Sequence, residues 1–138
     1  MIDSFKYPFA FLSNFHVCVP FMYDGIEYTT VEAAYQAQKS LNLLDRMALA
    51  TMSATDAKRA GKKLQLRSDW NDVRLKIMKE LVTIKFQQPD LKLCLIMTGK
   101  EEIVEGNWWN DTFWGVCRGE GENHLGKILM QVRDSLTI

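Results

Sequence analysis

The segment that most constrains this chain runs from Ser68 or Asp69 to about Gln87. Within it Trp70, Val73, Ile77, Leu81 and Ile84 recur at steps of three and four. That spacing predicts the longest helix of the chain, with one apolar stripe that other elements must cover. Around it the punctuation is sparse: three prolines and eight glycines in 138 residues. No repeat, low-complexity stretch or linker interrupts the pattern. The length fits one domain, of a size that can bury about two thirds of the surface its unfolded chain exposes.

Other elements follow from local chemistry. Asp24-Gly25 between apolar runs predicts a hairpin over 16–28, with Pro20 marking an edge strand. Thr29 with Glu32 three residues later fits a capping box opening a helix to about Ser40. Ser53 opens another, ending near Leu66. Pro89 suits a first helical turn, with a short helix over 91–98 ended at Gly99. Segments 102–105 and 112–116 read as short strands. Asn123 to about Leu136 closes as a helix with Leu125, Ile128, Leu129 and Val132 on one face. The expected architecture is a mainly helical α+β single domain with a small antiparallel sheet.

Several function classes drop out. No apolar run approaches the roughly 20 residues of a membrane span, and the first residues lack a secretory pattern. Cys18, Cys94 and Cys117 are odd in number and widely spaced, which points to reduced thiols in a cytoplasmic protein. Two histidines, no HExxH and no paired cysteines argue against metal. No dinucleotide or P-loop fingerprint is present, and no cofactor is expected. Seventeen basic and seventeen acidic side chains cancel, which argues against a long clamp on a nucleic-acid backbone. The zero is a sum of opposites. Residues 58–79 carry eight cations and two acids, and residues 100–122 carry two cations and six acids. These are either two solvated faces or a positive rim and an acidic wall.

Three clusters carry candidate chemistry. At about 100° per residue, Glu32, Tyr35, Gln36 and Lys39 share a helix stripe, with Ala33, Ala34 and Ala37 opposite. The plain alternatives are a cap for Glu32 and a dipole partner for Lys39. In 107–115, Trp108, Trp109 and Trp114 crowd beside Asp111. They form either a small core under a loop or a stacking wall for a flat ring. In 119–126, glycines precede a helix start. Such a start can cradle an anion through backbone amides, or simply be capped and packed tightly at Gly126.

In this order the residues also resemble a known family. The shared positions include Phe11-Leu12-Ser13-Asn14-Phe15, Tyr28, Val31-Glu32 and Tyr35-Gln36-Ala37-Gln38-Lys39. Ala57-Lys58 to Gly61, Trp70, Arg74, Met78 and Lys85-Phe86 follow. Later come Thr98-Gly99, Val104-Glu105, Asp111, Phe113-Trp114-Gly115, Gly121, Asn123, Leu125 to Met130 and Arg133. The chain resembles the NADAR, or YbiA-like N-glycosidase, family. It departs at Ala33, where a histidine is expected, and at Val116-Cys117.

The resemblance implies hydrolysis of a bond between ribose C1′ and an exocyclic base amine. The implied substrates are ADP-ribose on guanine in nucleic acid, or phosphoribosylaminopyrimidine intermediates of riboflavin synthesis. Glu32, Lys39 and Asp111 are the implied catalytic residues. Ser13, Asn14, Tyr35, Gln36, Trp70, Trp114, Gly115 and Asn123 are the expected substrate-binding ones. Either a carboxylate assists water, or Lys39 forms a Schiff base with the opened sugar. The second route needs a lysine whose pKa has fallen: burial lowers it and Glu32 raises it, and spacing does not decide between them. The rival from another class is a non-catalytic module binding ADP-ribose or NAD-like ligands.

Overall fold

The computed structural model describes residues 1–137. Among them are six α-helices: α1 (Val31–Ala37), α2 (Leu43–Ala50), α3 (Ala54–Gly61), α4 (Trp70–Lys85), α5 (Pro89–Met97) and α6 (His124–Ser135). Four short strands accompany them: β1 (Phe21–Tyr23), β2 (Ile26–Tyr28), β3 (Gly106–Asn107) and β4 (Val116–Cys117). The expected α+β class, mainly helical with a small antiparallel sheet, is what the chain adopts. The chain packs as two compact units, Asn14–Lys85 and Met1–Ser13 with Phe86–Ile138.

In the Asn14–Lys85 unit, β1 and β2 pair antiparallel with Phe21 opposite Tyr28. Asp24 and Gly25 both take positive φ, 48° and 82°, the backbone of a tight two-residue hairpin turn. The strands are shorter than expected. Pro20 has no N–H to donate, and before it the pairing is reduced to a bond from Cys18 N to Thr29 O. Against the hairpin, α4 buries Ile77, Met78, Leu81, Val82 and Lys85. Its stripe is rotated from the expected one: Val73 and Ile84 are only half-buried, while Met78, Val82 and Lys85 lie in the core. Helix α2 had no counterpart in the sequence reading. Asn42 caps it by accepting from Leu44 N and Asp45 N. Its leucines Leu43 and Leu44 are exposed, so no apolar stripe announces it.

In the other unit Ile2 bridges Ile103, and Leu91, Leu95, Leu125, Ile128, Leu129 and Val132 are buried. Helix α5 begins at Pro89 and stops before Gly99, whose φ of 66° ends it. The strands expected over 102–105 and 112–116 are corrected. What forms is a two-residue parallel pair, Gly106 with Val116 and Asn107 with Cys117. The cause lies in α6. Its leading amides on Glu122, Asn123, His124 and Leu125 donate to the carbonyls of Thr112, Gly115, Phe113 and Trp114. Those carbonyls are therefore unavailable to a neighbouring strand.

Candidate functional site

Helix α1 carries the first cluster of candidate chemistry, and its start differs from the capping box. The N-cap is Thr30, not Thr29. Its Oγ1 accepts from Ala33 N at 3.0 Å, a cap of about 1 kcal/mol. Glu32 thus sits one position earlier than the box requires, and its own amide is taken by Asn14 O at 3.1 Å. Its carboxylate accepts from Gln36 Nε2 at 2.9 Å, one turn along the helix.

The polar stripe of α1 is buried, like the alanine face opposite it. Every residue of α1 is buried, Glu32 to 7% exposure and Gln36 to 6%. A carboxylate at that depth is costly to hold unless it is well bonded or put to use. Helix α3 comes close because Gly61 has no side chain. A β-carbon there would overlap Oε1 of Gln36. That oxygen is buried and takes no donor from the described residues.

Lys39 lies just past α1 and is half-buried. Desolvation holds its ammonium below the usual lysine value. Glu32 pulls it back up, and Lys62 and Lys58 of the α3 region push it down. Burial is the larger influence, so the contest left open by the spacing comes out on the lowered side. Lys58 also lies over the Phe15 ring, 5.8 Å from its centroid. Lys58 and Lys62 escaped the sequence reading as site residues. Their signal was the four-residue spacing that puts both on one side of α3.

The remaining expected binding residues of this unit have definite places. Asn14 donates its amide to Met78 Sδ at 3.5 Å. Tyr35 and Trp70 are buried against each other, ring centroids 5.1 Å apart and tilted by 50°. Lys85, shared with the family but not expected as a site residue, is 1% exposed, and burial pushes its pKa down to about 8. The same burial, with Lys85 nearby, moves the His16 imidazole down, while burial raises the Cys18 thiol. Its signal was a lysine in line with Met78 and Val82 on the buried side of α4.

The other unit holds the remaining expected residues. Ser13 ends a 3₁₀ turn (Ala10–Leu12), its amide donating to Ala10 O. Asp111 organises the tryptophan loop: its Oδ1 accepts from Phe113 N at 3.2 Å and Trp114 N at 2.9 Å. Asn107 brackets the same turn. Its Nδ2 donates to Asp111 O and to Glu105 Oε2, and its Oδ1 accepts from Asp111 N. Trp114 stands edge-on to Phe113 at 4.8 Å, and Phe113 lies against His124 at 4.5 Å. Trp108 and Trp109 form an exposed T-shaped pair, Trp108 with 78% of its surface open. The crowded tryptophans are thus divided between a supported ring and an open pair.

Gly115 is buried where a β-carbon would overlap the Glu105 carboxylate and carbonyl. Asn123 uses both ends of its amide on backbone, donating to Ile103 O and accepting from Glu105 N. It takes the left-handed conformation, φ 55°, and its side chain makes no cap bond to α6. Gly126 is packed against Asn123 and Ile103 O. With the α6 amides already taken by carbonyls, this helix start is a packed junction and not an anion cradle.

The fold is a mainly helical α+β scaffold with a buried glutamate in α1 and a desolvated lysine just beyond that helix. The NADAR domain model matches residues 3–137, and the chain belongs to the NADAR family. It is 38% identical over 117 residues to N-glycosidase Npun_R5314 of Nostoc punctiforme, covering 79% of this chain and 74% of that one. With N-glycosidase YbiA of Escherichia coli K12 the identity is 34% over 131 residues, 91% of this chain and 81% of the relative. Riboflavin biosynthesis protein VVA0006 of Vibrio vulnificus is 37% identical over 132 residues, 92% of this chain and only 35% of that protein. The NMR structure of E. coli YbiA superposes with a TM-score of 0.85 at 31% identity, covering 98% of this chain and 84% of that one. The chain stands among hydrolases acting on N-glycosyl bonds. No helix of the described residues is long and apolar enough to cross a membrane.

Proposed function

We propose that the protein hydrolyses the bond between ribose C1′ and an exocyclic base amine, with Lys39 as nucleophile and Glu32 as proton carrier. The observation that carries this is the pair itself: a buried carboxylate held by Gln36, and a lysine whose charged form burial disfavours. An N-glycoside on an exocyclic amine can open to an imine. Neutral Nζ adds to C1′, and the base leaves as its free amine. The proton lost from Nζ passes through Glu32 to the departing nitrogen. Water then adds to the lysine Schiff base, releasing the sugar aldehyde and restoring the amine.

The substrate we favour is a phosphoribosylaminopyrimidine, in keeping with the name of the Vibrio relative. Lys58 and Lys62 would meet its phosphate. ADP-ribose on guanine in nucleic acid is the second reading, favoured by the exposed Trp108–Trp109 pair, which suits stacking on a base. Asp111 uses Oδ1 for its own loop, and Asn123 serves the backbone. Three free cysteines fit a reducing, cytoplasmic setting.

Each substrate is incubated separately with the protein, with and without borohydride. Ribose 5-phosphate from the pyrimidine, and a trapped adduct lost in Lys39→Ala, is the expected result. ADP-ribose released from DNA alone would move the assignment to the second substrate. Ligand bound and recovered unchanged would make the protein a binding module.

A further inference from the structure

The three residues that follow α1 present three successive carbonyls, and an arginine takes each one. Arg67 Nη1 donates to Gln38 O at 3.4 Å, and Arg67 N donates to Lys39 O at 2.8 Å. Arg46 Nε donates to Ser40 O at 2.8 Å. The Gln38 carbonyl is that of the α1 C-cap, where a cation is favoured by charge as well as by hydrogen bonding; those of Lys39 and Ser40 lie just beyond the helix.

Both arginines are themselves fixed. Arg67 grips Asp69 with a fork, Nε to Oδ1 at 2.6 Å and Nη2 to Oδ2 at 3.0 Å. The backbone carbonyl of Asp69 in turn accepts from the first amides of α4, on Asp72 and Val73. Arg46 reaches Asp24 Oδ2 in the hairpin turn at 2.7 Å. The stretch 38–40 is therefore tied to α2, to the residues that open α4 and to the hairpin at once, with Lys39 at its middle. The two guanidinium groups line a hollow of about 380 Å³ that Gln38 also borders. Glu32, Lys58 and Lys62, the charges that act on the Lys39 ammonium, do not line it.

We propose that Arg46 and Arg67 are positioning residues: their guanidinium groups hold the backbone on either side of Lys39, at Ser40 O and Gln38 O, so that its side chain stays in the half-buried place beside Glu32. Neither arginine touches substrate. Their reach into the reaction rests on Lys39 being the nucleophile, while their grip on Lys39 does not. An arginine suits this place because its planar group directs separate nitrogens at a carboxylate and a carbonyl in fixed directions, a span that the single nitrogen of a lysine does not match.

The test uses Arg46→Lys, Arg67→Lys and Asp69→Asn, the last loosening the fork without touching an arginine. The Lys39 side-chain titration is followed by NMR in uniformly ¹³C,¹⁵N-labelled protein, its signal assigned with Lys39→Met. In each variant the Lys39 midpoint is expected to move back up toward an ordinary lysine, with Lys85 unmoved. Borohydride trapping at neutral pH is expected to fall at least about tenfold, through kcat with KM little changed. Native-like amide spectra with Lys39 titrating and trapping as in the wild type would overturn the proposal. If Lys39→Ala keeps its activity, the Schiff-base route fails, yet the Lys39 titration still decides whether the arginines hold it.

Discussion

Gly61 and Gln36 occupy adjoining space so closely that a single β-carbon on the glycine would overlap the carboxamide oxygen. Gln36 is the donor to Glu32, so the glycine of one helix fixes a carboxylate on another. Alanine at 61 gains helix propensity of about 1 kcal/mol, which offsets part of the steric cost. Gly61→Ala is therefore expected to change the melting temperature by only a few degrees while lowering kcat about tenfold or more. A melting curve and a turnover assay on the same sample check this. Normal turnover would show that Gln36 does not hold Glu32 for catalysis.

The three charges around Lys39 make opposed predictions for pH dependence. The neutral amine is the nucleophile, so trapping rises as pH rises through its pKa. Lys62 and Lys58 lower that pKa and Glu32 raises it. Lys62→Met should move the rising limb to higher pH. Glu32→Gln should move it lower while reducing the maximal rate, because proton transfer is lost. The measurement is the rate of borohydride trapping from pH 6 to 10. Shifts in the same direction for both variants would contradict the electrostatics described.

Lys85 gives a stability signature independent of substrate. Its pKa is about 8 in the fold against 10.5 for the unfolded chain. Below pH 8 both states are protonated, and the fold carries the full cost of a buried ammonium. Between about 8 and 10.5 the unfolded chain binds more protons, so stability rises with pH, by about 3 kcal/mol across the window. Cys18 acts oppositely. Its thiol is raised in the fold, so its contribution declines above the unfolded thiol pKa. Chemical denaturation of the wild type and Lys85→Met at several pH values isolates the lysine. The wild type is expected to gain on the variant as pH rises, and parallel curves would refute it.

Asp111 separates shape from charge. Asp111→Asn keeps an oxygen for the amides of Phe113 and Trp114, and Asp111→Ala removes it. The near-UV circular dichroism of the tryptophans should survive in the first and change in the second, with a local cost of about 1–3 kcal/mol. If the carboxylate also serves the reaction, both variants lose turnover. A fully active Asp111→Asn would confine the residue to the loop.

Much of this was legible beforehand, and what was not has physical reasons. The Asp24-Gly25 turn, the Ser53 cap and the starts of α4 and α6 rest on local chemistry that tertiary contacts did not override. Helix α2 was missed because its exposed leucines carry no inward stripe. The stripe of α4 was rotated because a lysine, counted as polar, occupies a core position. The strand expected at 112–116 was lost to a non-local event, the pairing of its carbonyls with α6 amides. For the candidate site, the shared stripe put Glu32 and Lys39 together but left a helix cap and a dipole partner as alternatives; the family resemblance is what pointed to them. The cap at Thr30, the Gly61 contact and the arginine clamp were not legible, since each depends on segments brought together only by folding.

Tying three consecutive carbonyls to three fixed donors leaves the peptide after α1 with no slack. A single residue inserted or deleted between 38 and 40 would put every carbonyl out of step with its arginine and rotate the lysine away from its glutamate. Length changes among homologous chains should therefore be excluded from this stretch and concentrated elsewhere. Anyone transplanting the Glu32–Lys39 pair into another scaffold must carry its distant anchors along with the helix.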